Sequence, residues 1–332
     1  MTTLHGQARP IDAANLEAAS ASMPSVVALG GGHGLAANLS ALRTFCTDLT
    51  AVVTVADNGG SSGRLRRELG VLPPGDLRQA LAALCRDDEW GRTWAKVLQH
   101  RFQSPGELHD HAVGNLLIVA LWELLDGHVE GLDWVGRLLG AQGRVLPMSA
   151  LPLDIVAQVR GADPTKPDVV TSVRGQVEVA TTEGMVESVE LVPGSPPGCP
   201  EALAAVEWAD WVILGPGSWY TSVLPHLLVP DLREALTKTA ARCCVTLNLA
   251  PQLGETDGFS PSTYLEVLAV HAPDLRIDVV LVDSGDAVDM QMLEETVNGL
   301  GAQLFIADIA SDGDPARHDA GKLAAAYAEI MR

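Results

Sequence analysis

Aromatic side chains are scarce in this 332-residue chain: Phe, Trp and Tyr make up 4% of it. Apolar residues nonetheless reach 47%, so a core must be built mainly from Ala, Val and Leu. The length allows one large domain, or a domain with a subdomain. Cysteine is also sparse. Cys46, Cys85, Cys199, Cys243 and Cys244 form an odd set without a C-x-x-C pair. That pattern excludes a disulfide framework and a structural zinc site, and it predicts a reducing, cytoplasmic setting. Cys243 and Cys244 lie in an apolar run and read as strand core. Positive charge is short as well, with 22 basic against 42 acidic residues and a net charge of −20. Such a chain repels a phosphate backbone, which excludes general nucleic-acid binding and makes any local arginine cluster informative. No run approaches the ~20 apolar residues of a membrane helix, so no membrane insertion is expected. The start, Met1-Thr2-Thr3-Leu4-His5-Gly6, lacks the basic-then-apolar pattern of a signal peptide. No internal repeat or low-complexity tract is present.

Residues 1–24 carry no clean period and read as a mobile leader, with a short helix expected within 11–19. From Ser25 the texture changes. Val26-Val27-Ala28-Leu29 ends in Gly30-Gly31-Gly32, then Leu35, Leu39, Leu42 and Cys46 follow at helical spacing, then Ala51-Val52-Val53-Thr54-Val55. Strand, glycine turn, helix and strand make a βαβ unit with parallel strands. Helices are expected at 76–85, capped by Asp76 after Pro73-Pro74-Gly75, and at 111–125. From 151 to 192 the pattern alternates, as in Ile155-Val156-Ala157-Gln158-Val159, Val169-Val170-Thr171, Val177-Glu178-Val179 and Val189-Glu190-Leu191. This predicts a small β-rich insertion with antiparallel pairing. Helix/strand alternation then resumes, with strands at 211–214, 244–247, 277–282 and 303–306. Helices are expected near 232–241, 262–271 and from about 318. The fold class is α/β: a Rossmann-like three-layer α/β/α domain over 25–330 with a mainly parallel sheet.

Three strand-ending loops carry the chemistry. Gly30, Gly31, Gly32, His33, Gly34 and Leu35 stand between a strand and a helix. There glycines let a ligand approach the backbone and free N–H groups face an anion. The alternative is a tight turn with no ligand. Gly32 to Ala37 also fits G-x-G-x-x-A, with Asp57 at a suitable distance for a dinucleotide. No Lys-Ser or Lys-Thr follows, so this is not a P-loop. The second loop holds Asp57, Asn58, Gly59, Gly60, Ser61, Ser62 and Arg64, followed by Arg66 and Arg67. Backbone N–H, hydroxyls and guanidinium suit phosphate, with Arg64 as the expected contact and Arg66 and Arg67 equally readable as a solvated helix face. Gly59 to Gly63 also satisfies G-x-S-x-G. A nucleophile elbow needs its serine at the strand end, however, and Asp57 and Asn58 intervene. The third loop holds Gly215, Pro216, Gly217, Ser218, Tyr220, Thr221 and Ser222, whose hydroxyls could cap a helix or bind phosphate. His109-Asp110-His111 lacks a third metal ligand and reads as a polar loop.

GGGHGL (30–35), TVADNGGSSGRLR (54–66), LPPGDLR (72–78), HAVGNL (111–116), GRVLP (143–147), LGPGSWYTSVLP (214–225), GETDGF (254–259) and RHD (317–319) stand in order along the chain. Together they resemble the YvcK/CofD-like family, often called gluconeogenesis factors. The resemblance implies a CofD-type Rossmann-like fold and binding of UDP-sugars, notably UDP-N-acetylglucosamine. It also implies a role in cell-wall building and cell shape on gluconeogenic carbon, with cell-wall regulatory proteins or a Ser/Thr kinase as partners. Asn115 and Asn248 join the loops as ligand contacts, and Arg317 resembles an arginine that closes over the ligand. No cofactor is required on this reading. Related CofD enzymes transfer a phospholactyl group to a deazaflavin precursor with magnesium, which is the alternative; a nicotinamide oxidoreductase is a second. The family often carries Thr at His33, Asp at Asn58 and Ser at Ala112. Without a second carboxylate at Asn58, Asp57 alone makes a poor magnesium cage, which favours binding over transfer. Apolar stretches of the insertion read equally as core or as a homodimer interface.

Overall fold

The computed structural model describes residues 23–125, 127–252, 254–285 and 290–332; the leader expected over 1–24, with its short helix, lies almost wholly outside them. The apolar runs behave as buried strands. β1 (Ser25–Gly30), β2 (Asp48–Val53), β3 (Arg144–Pro147), β7 (Trp211–Leu214), β8 (Arg242–Thr246), β9 (Val279–Asp283) and β10 (Gln303–Ala307) form one sheet. Its order is β3-β2-β1-β7-β8-β9-β10, with every pairing parallel. Parallel strands need crossovers, and near-continuous Val, Leu and Ala along β1, β2 and β7 suits burial on both faces. The chain leaves β1 in one direction through β2 and β3 and returns on its other side at β7. The order therefore reverses between β1 and β7, where open α/β sheets bind ligands.

Helix α1 (Gly32–Leu42) follows β1 and packs between α3 (Gly75–Ala83) and the C-terminal α12 (Ala320–Ile330). Between them run α2 (Gly60–Leu69), α4 (Glu89–Gln99), α5 (Val113–Leu125) and α6 (His128–Leu139). On the return half come α8 (Pro200–Trp208), α9 (Pro230–Lys238), α10 (Pro261–His271) and α11 (Met290–Gly299). No helix among the described residues is long and apolar enough to cross a membrane.

The insertion is antiparallel as expected, in the order β5-β4-β6, from β4 (Asp154–Arg160), β5 (Val170–Arg174) and β6 (Met185–Val192). One piece differs. Val177-Glu178-Val179, whose alternation suggests a strand, lies in the short helix α7 (Gln176–Ala180). Asn58 accounts for this, because its amide accepts from the Val177 N–H at 3.1 Å and donates to Glu178 at 2.8 Å, pinning the turn onto the second loop. A tertiary contact overrides local propensity here. A two-stranded hairpin, β11 (Ala310–Ser311) with β12 (Asp314–His318), precedes α12, so His318 sits on a strand and not in the helix expected from about that position.

Candidate functional site

Register brings the three loops to one level. Leu29 pairs with Val52 on one side and Leu214 on the other, so the chain leaves β1, β2 and β7 side by side at one rim. At β1 the turn depends on Gly32, whose φ of +56° disfavours any L side chain. It depends equally on Gly34, where a Cβ would lie 2.2 Å from the Pro216 carbonyl oxygen. The loop after β7 thus rests directly on the first turn of α1. Helix geometry leaves the N–H groups of Gly32, His33 and Gly34 without intrahelical acceptors, and Leu35 makes the first bond, to Gly31. Leu35 itself is fully buried and serves the core, not a ligand. Gly30 is the last residue of β1 and is buried beneath it.

Several expected contacts are instead consumed by the scaffold. Asn58 is spent on α7. Arg64 turns away from the rim and donates to the carbonyls of Glu107 at 3.2 Å and His109 at 2.7 Å, anchoring the loop before α5. Arg66 is no solvated face: it donates to the Leu153 carbonyl and pairs with Asp154 at 2.6 Å, tying α2 to the insertion. Ser61 bonds His111 and Asn115, both at 3.0 Å, while Asn115 also accepts from Arg78 at 2.9 Å. In the third loop, Thr221 donates to Glu255 at 2.7 Å and the Tyr220 N–H to the same carboxylate at 3.1 Å; Ser218 also bonds it. Glu255 therefore does the capping that a phosphate would do. Burial raises its pKa. Tyr220 is buried, its hydroxyl bonding Val186. Asn248 clasps Gly217 through both its N–H and its carbonyl, at 2.8 and 2.9 Å. These residues shape the loops, and they hold them by side chain where sequence suggested ligand contact.

What faces the rim is a smaller set. The Ser222 hydroxyl lies against Gly31. Asp57 accepts from the Gly59 N–H at 2.8 Å, and its other oxygen lies against Gly75 beside Ser62. Asp76 does not cap its own helix; its carboxylate crosses to Gly31 and accepts from the Gly32 N–H. Burial, then the charge of Asp57, pushes the Asp76 pKa up to about 7. Arg78 is buried nearby, bonds Gln99 as well as Asn115, and is pulled down to about 10 by burial and then by Arg101. Asp76 supplies the second carboxylate that Asn58 does not. No cluster of three metal-ligating side chains exists among the described residues. Two carboxylates with a diphosphate remain a donor set suited to magnesium.

On the other flank of α1, a cleft of about 450 Å³ runs between the loops after β7 and β8 and the β11–β12 hairpin. His33, Gly217, Asn248, Gln252, Arg317 and His318 are among its lining residues. Arg317 is exposed there. Sequence reasoning had missed Asp76, Arg78, Gln252, Glu255 and His318. All but Gln252 stand within the quoted stretches, Asp76 there read as a helix cap and Arg78, Glu255 and His318 as neighbours of the residues singled out.

A family model described as 2-phospho-L-lactate transferase CofD matches residues 26–328. A protein of Mycobacterium tuberculosis named "Putative gluconeogenesis factor" is 51% identical over 303 residues, covering 90% of this chain and 88% of that one. A gluconeogenesis factor of Listeria innocua is 33% identical over 319 residues, covering 93% and 96%. The crystal structure of a upf0052-family protein from Bacillus halodurans superposes with a TM-score of 0.81 at 33% identity, covering 92% of this chain and 98% of that one.

Proposed function

Given that this chain belongs to the CofD family, with gluconeogenesis factors as its relatives, we propose that it binds a UDP-sugar, with UDP-N-acetylglucosamine as reference ligand. On this reading it acts as a cytoplasmic regulatory factor that supports cell-wall synthesis and cell shape on gluconeogenic carbon. The supporting observation is the side-by-side exit of β1, β2 and β7 with the open first turn of α1 between them. The N–H groups of His33 and Gly34, which meet no intrahelical carbonyl, and the positive end of α1 suit a diphosphate. The cleft beside it offers room for the rest of a nucleotide sugar, and Arg317 supplies a cation in an otherwise acidic chain. Isothermal titration calorimetry with UDP-N-acetylglucosamine tests the reading. Saturable binding is expected, weakened on the order of tenfold in Arg317→Ala through loss of a charge-assisted bond. Absence of heat with the native chain removes the proposal.

One observation favours a second reading, a magnesium-dependent transferase of the phospholactyl type. Asp76 occupies an N–H at the α1 N-terminus, so a phosphate placed there would face a carboxylate. Either a proton on Asp76 or a cation shared with Asp57 would relieve that repulsion. Asp57 and Asp76 would hold the ion, whose contribution is to neutralise charge on the diphosphate. Turnover of a nucleotide-activated phospholactate with a deazaflavin acceptor tests this reading, and absence of product with magnesium present rejects it.

A further inference from the structure

Buried polar atoms without partners are rare because leaving one unpaired forfeits its hydration with nothing in return, so their positions are informative. Among the described residues, two of the few such atoms belong to side chains lining the same cleft: Gln252 Oε1 and His318 Nε2. Their chemistry can be read. His318 donates to the Leu247 carbonyl. Since Nε2 is the unpartnered nitrogen, the donor is Nδ1. Burial lowers the ring's pKa to about 4, so at neutral pH the imidazole is uncharged and Nε2 presents a lone pair. Gln252 Oε1 is likewise an acceptor. The cleft therefore holds two unfilled acceptors and calls for a ligand that brings two donors.

We infer that Gln252 and His318 form a sugar-hydroxyl subsite, which takes the ribose diol of a nucleotide whose diphosphate lies over the first turn of α1. This rests on the nucleotide-sugar reading above and extends it by placing the ribose on the β7–β8 side, away from Asp57. A ribose diol supplies two adjacent O–H donors. A uracil ring supplies a single imide N–H and would leave one acceptor unfilled. Arg317, the neighbour of His318 on β12, stands at the same cleft to meet negative charge. Both acceptors are closed to solvent, so filling them takes a small displacement of the hairpin. The hairpin permits this. It pairs with no strand of the main sheet, its residues 312–317 are exposed, and its ties to the body are polar: Lys322 binds Asp308, the Ala310 carbonyl and Asp312 in the turn, and Asp283 accepts from the Ile309 and Ala310 N–H groups.

The test is a comparison of UDP, 2′-deoxy-UDP and UDP-N-acetylglucosamine by calorimetry on the full chain, its His318→Phe variant and its Gln252→Met variant. The native chain is expected to prefer UDP to the deoxy analogue by about tenfold, since a subsite built to bond a hydroxyl is left unfilled without it. The variant that removes the acceptor of the 2′-OH should bring that ratio close to one while keeping its affinity for 2′-deoxy-UDP, and the other should weaken both ligands alike. Equal affinity of the native chain for UDP and 2′-deoxy-UDP overturns the subsite but leaves the nucleotide reading standing, and needs no variant to fold. A tenfold preference that survives both substitutions also overturns it. If the variants lose only the gain of UDP-N-acetylglucosamine over UDP, the two acceptors serve pyranose hydroxyls and the ribose assignment is wrong. No binding of any of the three removes the nucleotide reading, and the subsite with it.

Discussion

Replacing Gly34 by alanine separates a steric role from a conformational one. Gly34 has helical backbone, so alanine is unstrained there and, in open space, would stabilise the helix by roughly 1 kcal/mol. Space is the obstacle. The new Cβ would sit 2.2 Å from the Pro216 oxygen, 2.6 Å from its carbonyl carbon and 2.7 Å from Gly217 Cα. The first contact is more than about 1 Å inside ordinary van der Waals distance, and all three atoms are backbone that cannot rotate away. The loop after β7 must move, yet it is clasped by Asn38 at Gly215 and by Asn248 at Gly217. Overpacking of this kind costs about 3 kcal/mol against a helix gain of about 1 kcal/mol, so for a 332-residue chain a fall in Tm of roughly 3 °C is expected. Gly32→Ala is the control. No atom lies within 4 Å of its Cβ position, so its cost is only the positive φ, about 1–2 kcal/mol. Differential scanning calorimetry of both variants decides the matter. If Gly34→Ala melts like the native chain, or above Gly32→Ala, then the two loops do not rest on each other as described.

Other expectations follow from the same geometry. The Asp76 carboxyl has its folded pKa raised to about 7 against an ordinary value near 4, so the folded state binds the extra proton and stability falls as pH rises from about 4 to about 7. Asp76→Asn should remove that slope and stabilise the chain at pH 8 on the order of 2–4 kcal/mol in urea titrations without divalent cations; an unchanged slope refutes the assignment. Magnesium with UDP should raise Tm at pH 8 more for the native chain than for Asp76→Asn if the two carboxylates share a cation, and equally if they do not. Tyr327 bridges Thr246 at 2.7 Å and Asn38 at 2.5 Å inside the core, and Asn38 in turn holds Gly215. Tyr327→Phe leaves those groups short of a partner and should cost about 1–3 kcal/mol by denaturant unfolding. Arg66→Ala cuts a half-buried tie to Asp154, which Arg174 continues to contact, so the expected effect is faster limited proteolysis within the insertion and a small change in global Tm.

The sheet was legible because its strands are short apolar runs bounded by glycine or proline, and that texture survives burial on both faces. The glycine loops were legible for a related reason: positive φ and close backbone approach tolerate little else. Side-chain direction was not. Asp76 follows Pro73-Pro74-Gly75 and looks like a cap; only the packing of α3 against α1 turns its carboxylate toward Gly31. Arg64 looks like a phosphate ligand until the loop before α5 offers it two carbonyls. The β11–β12 hairpin escaped notice because its residues are exposed, lack alternation and include Pro315, so nothing in the chain marks a strand. Likewise, α7 is a helix only because the second loop grips it.

A crystal structure of the chain with UDP-N-acetylglucosamine decides whether a diphosphate sits on the first turn of α1. Diphosphate density is expected within hydrogen-bonding distance of the His33 and Gly34 N–H groups, with the nucleoside reaching into the cleft by Arg317 and His318. Density for the nucleotide at any other surface, with the first turn of α1 left bare, would contradict this placement.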